Sequence, residues 1–329
     1  MKISVSFATN RYGWLENTFR CLGSQTLPHE EWELIMIDDV PEDRCEQVMG
    51  LAEKENINLK WMRSKPNYWK SNRMLGNARN TGFIHSDGEL IVFLDDYTWL
   101  ESKFLQWHWE IYKKTGMAVI GRVKTIRFKE QIISLQECEI INDDHRFDEI
   151  QRRGMSTWIN APYGWFYTYN SSAPLDKIIE INGYDEEFDC TGEDDIDLGE
   201  RLHRAGIEFI FATEREITAY HMRHGGKTNP EKCFVCGELL LAKEASRICP
   251  ECASIDLDKL KALNTPDRYK PEEVHKVING RLALLDRNKR KEPWNVNKGY
   301  FDLSESRKQV KEYGKNHSYS VHEKKRAPI

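Results

Sequence analysis

Residues Leu90-Ile91-Val92-Phe93-Leu94-Asp95-Asp96-Tyr97 decide how this chain is read. Five apolar residues lie between the turn Ser86-Asp87-Gly88 and two carboxylates, a run too short for a helix and suited to a buried strand. Such a strand is covered on both faces, so only its carboxyl end opens to a crevice, and there stand Asp95 and Asp96. Working outward, Ile3–Ala8 and Trp32–Ile37 read as strands of the same kind, the second ending at Asp38-Asp39, and Leu59–Arg63 reads as a shorter one. Leu15–Gln25, Glu42–Glu55 and the stretch from Met74 to His85 read as the intervening helices. Strands alternating with helices predict an α/β fold with a mixed, mostly parallel and helix-covered sheet. Ala118–Phe128, Gln131–Ile141 and Glu208–Ala212 read as further strands. Leu175–Ile181 and Asp197–Ala205 read as helices stopped by Asn182-Gly183 and Gly206.

With 329 residues, 40% hydrophobic and 31% charged, the chain has the composition of a globular protein with one large core or two domains. No stretch approaches the roughly eighteen apolar residues of a membrane span. Met1-Lys2-Ile3-Ser4-Val5-Ser6-Phe7 reads as the first core strand and not as a signal peptide. Cys21, Cys45, Cys138 and Cys190 are scattered, as expected of reduced thiols in a cytoplasmic protein. The other four cysteines form two Cys-x-x-Cys knuckles, Cys233/Cys236 and Cys249/Cys252, with twelve residues between them. Four thiolates at this spacing suit a closed, structural tetrahedral Zn²⁺ site. Beyond residue 225 the chain holds about 22 Lys and Arg against 15 Asp and Glu, while the whole carries −5, so the first 225 residues are strongly acidic. An acidic half suits cations; a basic tail suits nucleic acid, an anionic surface or plain solvent.

Two further motifs bear on chemistry. One is Gly192-Glu193-Asp194-Asp195-Ile196-Asp197-Leu198, and the other is Tyr220-His221-Met222-Arg223-His224. A cation held at a strand end, a second carboxylate cluster and a late histidine pair together suit displacement of a phosphate leaving group. That order points to a metal-dependent sugar transferase. Between the motifs, Trp158, Tyr163, Trp165, Phe166, Tyr167 and Tyr169 crowd one segment, which reads equally as a wall for stacking sugars or as a buried strand.

The motifs in series carry a resemblance. Val5-Ser6-Phe7-Ala8-Thr9-Asn10-Arg11, Leu34-Ile35-Met36-Ile37-Asp38-Asp39 and Gly76-Asn77-Ala78-Arg79-Asn80-Thr81-Gly82 come first. Leu94-Asp95-Asp96, Asn182-Gly183-Tyr184-Asp185-Glu186-Glu187-Phe188 and Asp194-Asp195-Ile196-Asp197-Leu198-Gly199-Glu200-Arg201-Leu202 follow. Over roughly residues 1–225 the chain resembles a family 2 glycosyltransferase of the Rossmann-like GT-A fold. The resemblance implies that Thr9, Arg11, Asp38 and Arg79 line a nucleotide pocket, with Asp95 and Asp96 also on the donor. A carboxylate such as Asp38 can accept the uracil N–H, and Arg79 can meet phosphate with its planar fork.

The metal motif departs from the family's Asp-x-Asp, because Tyr97 stands where the second carboxylate is expected. A neutral tyrosine is a poor ligand for a hard divalent cation. Either Asp96 takes over, or the register slips by one, or metal use is weakened. His221 and His224, three residues apart, share a face on a helix-like turn, and Met222-Arg223-His224 is similar to the late metal-binding segment of β-galactosyltransferases. Mn²⁺ or Mg²⁺ is the expected ion, and imidazole favours the former. For the general base, counting back from Arg201-Leu202 puts the family's Glu-Asp pair on Asp194-Asp195, while counting forward from Gly192 puts it on Glu193-Asp194. The helix is the firmer anchor and favours Asp195 over Asp194, with Asp197 as an acid favouring the helix dipole.

The expected organisation is a GT-A domain over 1–225, a zinc ribbon over 226–255 and a basic helical region over 256–329 with a frayed end. The expected reaction moves a sugar from a UDP-sugar, with inversion, to a hydroxyl of a glycan or of a hydroxylated base in DNA or RNA. The rival reading is a non-catalytic GT-A-like module that binds nucleic acid or protein through the ribbon and tail.

Overall fold

The computed structural model describes residues 1–10, 15–40, 43–66, 75–127, 138–186, 194–222, 297, 301–313 and 321–324. Two compact units divide the chain, and every described residue belongs to the one made of Met1–Asp189, Asp194–Arg223 and Pro293–Ile329. Arg11, His224 and the cysteines Cys233, Cys236, Cys249 and Cys252 lie outside the described residues.

Its first part alternates strand and helix: β1 (Ile3–Thr9), α1 (Leu15–Gly23), β2 (Trp32–Asp38), α2 (Cys45–Lys54), β3 (Leu59–Met62), α3 (Leu75–His85) and β4 (Leu90–Leu94). These strands pair in parallel in the order β3-β2-β1-β4. β2 and β4 are buried at every residue, as expected of strands covered on both faces. Next come β5 (Thr98–Leu100), α4 (Phe104–Thr115), β6 (Ala118–Gly121), β7 (Val123–Arg127), β8 (Glu139–Asn142), α5 (His145–Arg152) and β9 (Trp158–Ile159). Then follow β10 (Asn170–Pro174), α6 (Leu175–Glu180), α7 (Asp194–Arg204), β11 (Phe209–Ala212), β12 (Ala219–Met222), α8 (Leu303–Tyr313) and β13 (Val321–Lys324). Among the described residues the strands form a nine-stranded sheet, β13-β3-β2-β1-β4-β10-β6-β11-β9, and a four-stranded sheet, β5-β12-β7-β8.

Several elements differ from their reading in the sequence. Ala118–Phe128 is not one strand: the chain leaves the large sheet after Gly121 and enters the small one at Val123. The crossing passes close to β10, where a Cβ on Gly121 would lie 2.5 Å from the Asn170 amide. Phe104–Thr115, unassigned from the sequence, is helix α4, ended by Gly116 at φ 70°, whose N–H bonds the Tyr112 carbonyl. It carries His108, fully buried between Ser172 and Asn170 and pushed down to about 4 by burial, a neutral core histidine. Residues 219–222 form strand β12, so His221 sits on a strand and not on a helix-like turn. Val321–Lys324 is not frayed or helical: it pairs antiparallel with β3 and extends the large sheet. No helix among the described residues is long and apolar enough to cross a membrane.

The turn into β4 is packed backbone against backbone. The Gly88 N–H donates to Ser4 Oγ at 2.8 Å, and a Cβ there would lie 2.3 Å from the Ser4 nitrogen. Gly88→Ala is therefore expected to lower stability by about 1–3 kcal/mol, the usual cost of overpacking a core. Urea unfolding measures it, and a loss within about 0.5 kcal/mol, as for a neutral surface change, would show that the turn relaxes freely.

Candidate active site

Parallel pairing aligns the carboxyl ends of three strands. β1 ends at Thr9, paired in register with Asp38 at the end of β2, and β4 ends immediately before Asp95 and Asp96. The Thr9 hydroxyl donates to the Asp96 carboxylate at 2.5 Å, and the Thr18 hydroxyl donates to the Asp96 carbonyl at 3.0 Å. Asp96 is thus 6% exposed and held against β1. Asp95 turns the other way, and its Oδ2 lies 3.3 Å from His221 Nε2 on β12. Tyr97 is buried against Ile126 and Tyr220. The structure therefore brings Asp95 to the histidine strand, because successive residues leaving a strand point to opposite sides.

Asp38 is fully buried, and both its carboxylate oxygens accept protein donors. Arg44 grips it with a fork at 2.7 and 3.0 Å, and the Trp61 indole donates at 2.9 Å. The Arg63 guanidinium bonds the Asp38 carbonyl at 2.8 Å. The strand-end acid expected to meet a nucleobase is here the centre of a charge-assisted network.

Arg79 is likewise held by protein partners. It is carried by α3, 7% exposed, and its Nη1 lies 2.8 Å from Asp195 and 3.4 Å from Asp194, both in the first turn of α7. The Asp195 carboxylate also accepts from the Thr168 hydroxyl, the Thr168 N–H at 3.2 Å and the Tyr184 hydroxyl at 3.1 Å. Tyr184 is fully buried and stacks on Phe83 at 5.9 Å, so its hydroxyl is fixed from behind. Asp194 has fewer donors, and burial, then the Asp195 charge, push its carboxyl up to about 7 against the opposing pull of Arg79. Asp197 is buried in an ion pair with Arg201 at 2.7 Å, a structural role; breaking such a pair costs about 3–5 kcal/mol.

The aromatic segment divides. Phe166 is core, and Trp158 and Trp165 pack edge to face at 5.0 Å. Tyr167 and Tyr169 stack on each other at 5.7 Å, half-buried, over the guanidinium of Arg146. They flank Thr168, the partner of Asp195. The sequence motifs mark Asp194, Asp195 and Arg79 but not their union in one cluster, and they do not mark Tyr184 and Thr168 as its anchors. Tyr184 stood inside the quoted Asn182–Phe188 motif, its only signal.

Among the described residues no three His, Cys, Asp or Glu side chains form a metal cage. The donor set of Asp95 and His221, one hard carboxylate and one imidazole, fits a divalent cation.

The raised Asp194 pKa has a consequence for stability. A carboxyl that ionises near 7 when folded and near 3.9 when unfolded weakens the fold progressively as pH rises between those values. Above about 7 the loss is constant. Asp194→Asn is expected to melt higher than the wild type at pH 8, with the gap closing toward pH 4. Equal melting temperatures at both pH values would remove the desolvation argument.

Comparison with known proteins follows the same lines. The sequence profile of Glycosyl transferase family 2 matches residues 5–172, just over half of the chain. That span contains Thr9, Asp38, Arg79, Asp95 and Asp96 and stops short of Asp194 and Asp195. Validoxylamine A glucosyltransferase of Streptomyces hygroscopicus subsp. jinggangensis is 24% identical over 241 residues, covering 67% of this chain and 56% of that one. The uncharacterized glycosyltransferase YfnE of Bacillus subtilis is 23% identical over 331 residues, covering 88% of this chain and 80% of that one. The chain thus spans little more than half the length of the validoxylamine enzyme. In structure, it is similar to GalNAc-T7 solved with UDP, GalNAc and Mn²⁺, with a TM-score of 0.50 at 13% identity over 70% of this chain and 45% of that one. The aligned strand ends, the carboxylates that leave them and the matching profile make one case: the chain belongs to glycosyl transferase family 2.

Proposed function

We propose that this protein transfers a sugar from a UDP-sugar, with inversion, to a hydroxyl acceptor, and that Asp195 is the general base. The observation that carries this reading is the Arg79–Asp195–Tyr184–Thr168 cluster beside the Asp95–His221 pair. In the reaction the acceptor oxygen attacks the anomeric carbon, the bond from that carbon to the UDP oxygen breaks, and the acceptor proton passes to a carboxylate. A base must be ionised and aimed. Arg79 supplies countercharge to Asp195, and three further donors fix its plane, so little reorganisation accompanies the transfer. Asp95 and His221 would hold the divalent ion, which when bound stabilises negative charge on the leaving diphosphate. The GalNAc-T7 complex with UDP and Mn²⁺ and the glucosyltransferase relative support the class of donor. Cys233, Cys236, Cys249 and Cys252 are proposed, on spacing alone, to hold one structural Zn²⁺.

A second reading makes Asp194 the base, because a carboxyl pushed up to about 7 matches a general base working near neutral pH. Two substitutions separate the readings. Asp195→Asn is expected to lower turnover roughly 10²–10⁴-fold with UDP affinity nearly intact, while Asp194→Asn keeps most of the activity. The reverse pattern in a UDP-release assay transfers the role to Asp194.

The metal pair has its own test. Asp95→Ala and His221→Ala are each expected to weaken Mn²⁺-dependent UDP binding by roughly tenfold or more, as loss of a ligand from an open site should. Calorimetry with and without Mn²⁺ reads it, and unchanged affinity in both variants would rule the pair out as the ion site.

A further inference from the structure

We propose that Asn297, far downstream of the catalytic motifs, is a positioning residue that holds the Tyr184 hydroxyl on Asp195. The inference rests on the base assignment above. Asn297 is 3% exposed and has a left-handed backbone, φ 58°. Its side-chain amide donates to the carbonyls of Tyr184 at 2.8 Å and Asn182 at 3.2 Å, and its oxygen accepts the Glu186 N–H at 3.0 Å. One side chain thus grips the backbone on both sides of Tyr184. Those groups belong to a loop without regular hydrogen bonding of its own, so they need partners from outside it.

Neighbouring contacts carry the same load. Asn182 donates to the Phe301 carbonyl at 3.1 Å and accepts the Leu303 N–H at 2.7 Å. Lys65 pairs with Glu186 at 2.7 Å and lies 4.4 Å from the centre of the Phe301 ring. From the other side Asn80, on α3 one residue after Arg79, accepts the Tyr184 N–H at 2.8 Å and donates to the Tyr184 carbonyl at 3.0 Å. Gly183 permits this approach: its φ is 68°, and a Cβ there would lie 2.3 Å from the Asn80 oxygen. The loop is clamped between α3 and the returning chain. At its centre the Tyr184 hydroxyl meets Asp195 at 3.1 Å, the Thr168 hydroxyl at 2.9 Å and Arg79 at 3.1 Å. A loop shift of about 1 Å would lift that hydroxyl off the base, a misplacement that can cost about 10²-fold in rate.

The test uses the full chain and the UDP-sugar that it hydrolyses fastest. Asn297→Gly keeps the left-handed backbone and removes the side chain. It is expected to lower turnover roughly 10–100-fold while UDP affinity stays within about twofold. Tyr184→Phe, which removes only the hydroxyl, should lose activity similarly. The double variant should fall no further than the worse single one, because both changes break the same link. Melting temperatures confirm that each variant is folded at the assay temperature. Full turnover in Asn297→Gly, a loss confined to UDP affinity, or multiplicative losses in the double variant would overturn the positioning role while Asp195→Asn remains inactive. An active Asp195→Asn, or no UDP-sugar hydrolysed by the wild type, would instead overturn the function on which the role rests.

Discussion

The site depends on one buried cation. Among the described residues Arg79 is the cation that pairs with two adjacent carboxylates, Asp194 and Asp195, drawn into the same poorly solvated corner. One guanidinium cannot neutralise both, so the two acids part company. Asp195, nearer the cation and bonded by Thr168 and Tyr184, has the donors an anion needs. Asp194 meets burial and its neighbour's charge and holds its proton toward neutral pH. Two adjacent acids in different surroundings are a common way for an active site to divide labour.

That arrangement constrains the rest of the molecule. Arg79 comes from α3, Tyr184 from the loop after α6, Thr168 from the segment before β10, and the acids from the first turn of α7. Their mutual distances are set by how α3 packs on the sheet and how the loop after α6 is tied to it. The tie runs through buried amides, Asn80, Asn182 and Asn297, rather than through apolar contact alone. Amide pairs fix direction as well as distance, which apolar packing does not. The Phe83 ring stacked on Tyr184 and the Leu303 side chain supply the burial that makes those hydrogen bonds hard to exchange for water.

The donor side obeys a different constraint. Thr9, Asp38 and the acids after β4 stand at the carboxyl ends of parallel strands in register, the position at which open α/β sheets present ligands. Asp96 and Asp95 leave β4 in opposite directions, so one braces β1 and the other meets His221. Tyr97, the residue that breaks the Asp-x-Asp pattern, packs in the small sheet's apolar cluster.

The sequence by itself determined the α/β alternation, the parallel core strands and the carboxylates at their ends, because an apolar run bounded by turns and acids has few other uses. It also determined the family, through short motifs in order. It left open which acids meet which partners. Asp96 was the acid expected beside the histidines, and the structure puts Asp95 3.3 Å from His221, since side-chain direction at the end of β4 is settled by its pairing with β1 and β10. Arg79 read as a phosphate contact, and only the tertiary structure shows its side chain reaching from α3 to two aspartates in the first turn of α7. Asn297 carried no signal, because a lone asparagine beyond residue 225 is indistinguishable from a surface turn until the chain returns to bury it. Local pattern is a short-range property; the choice of hydrogen-bond partner is made across more than a hundred residues, and only tertiary structure makes it.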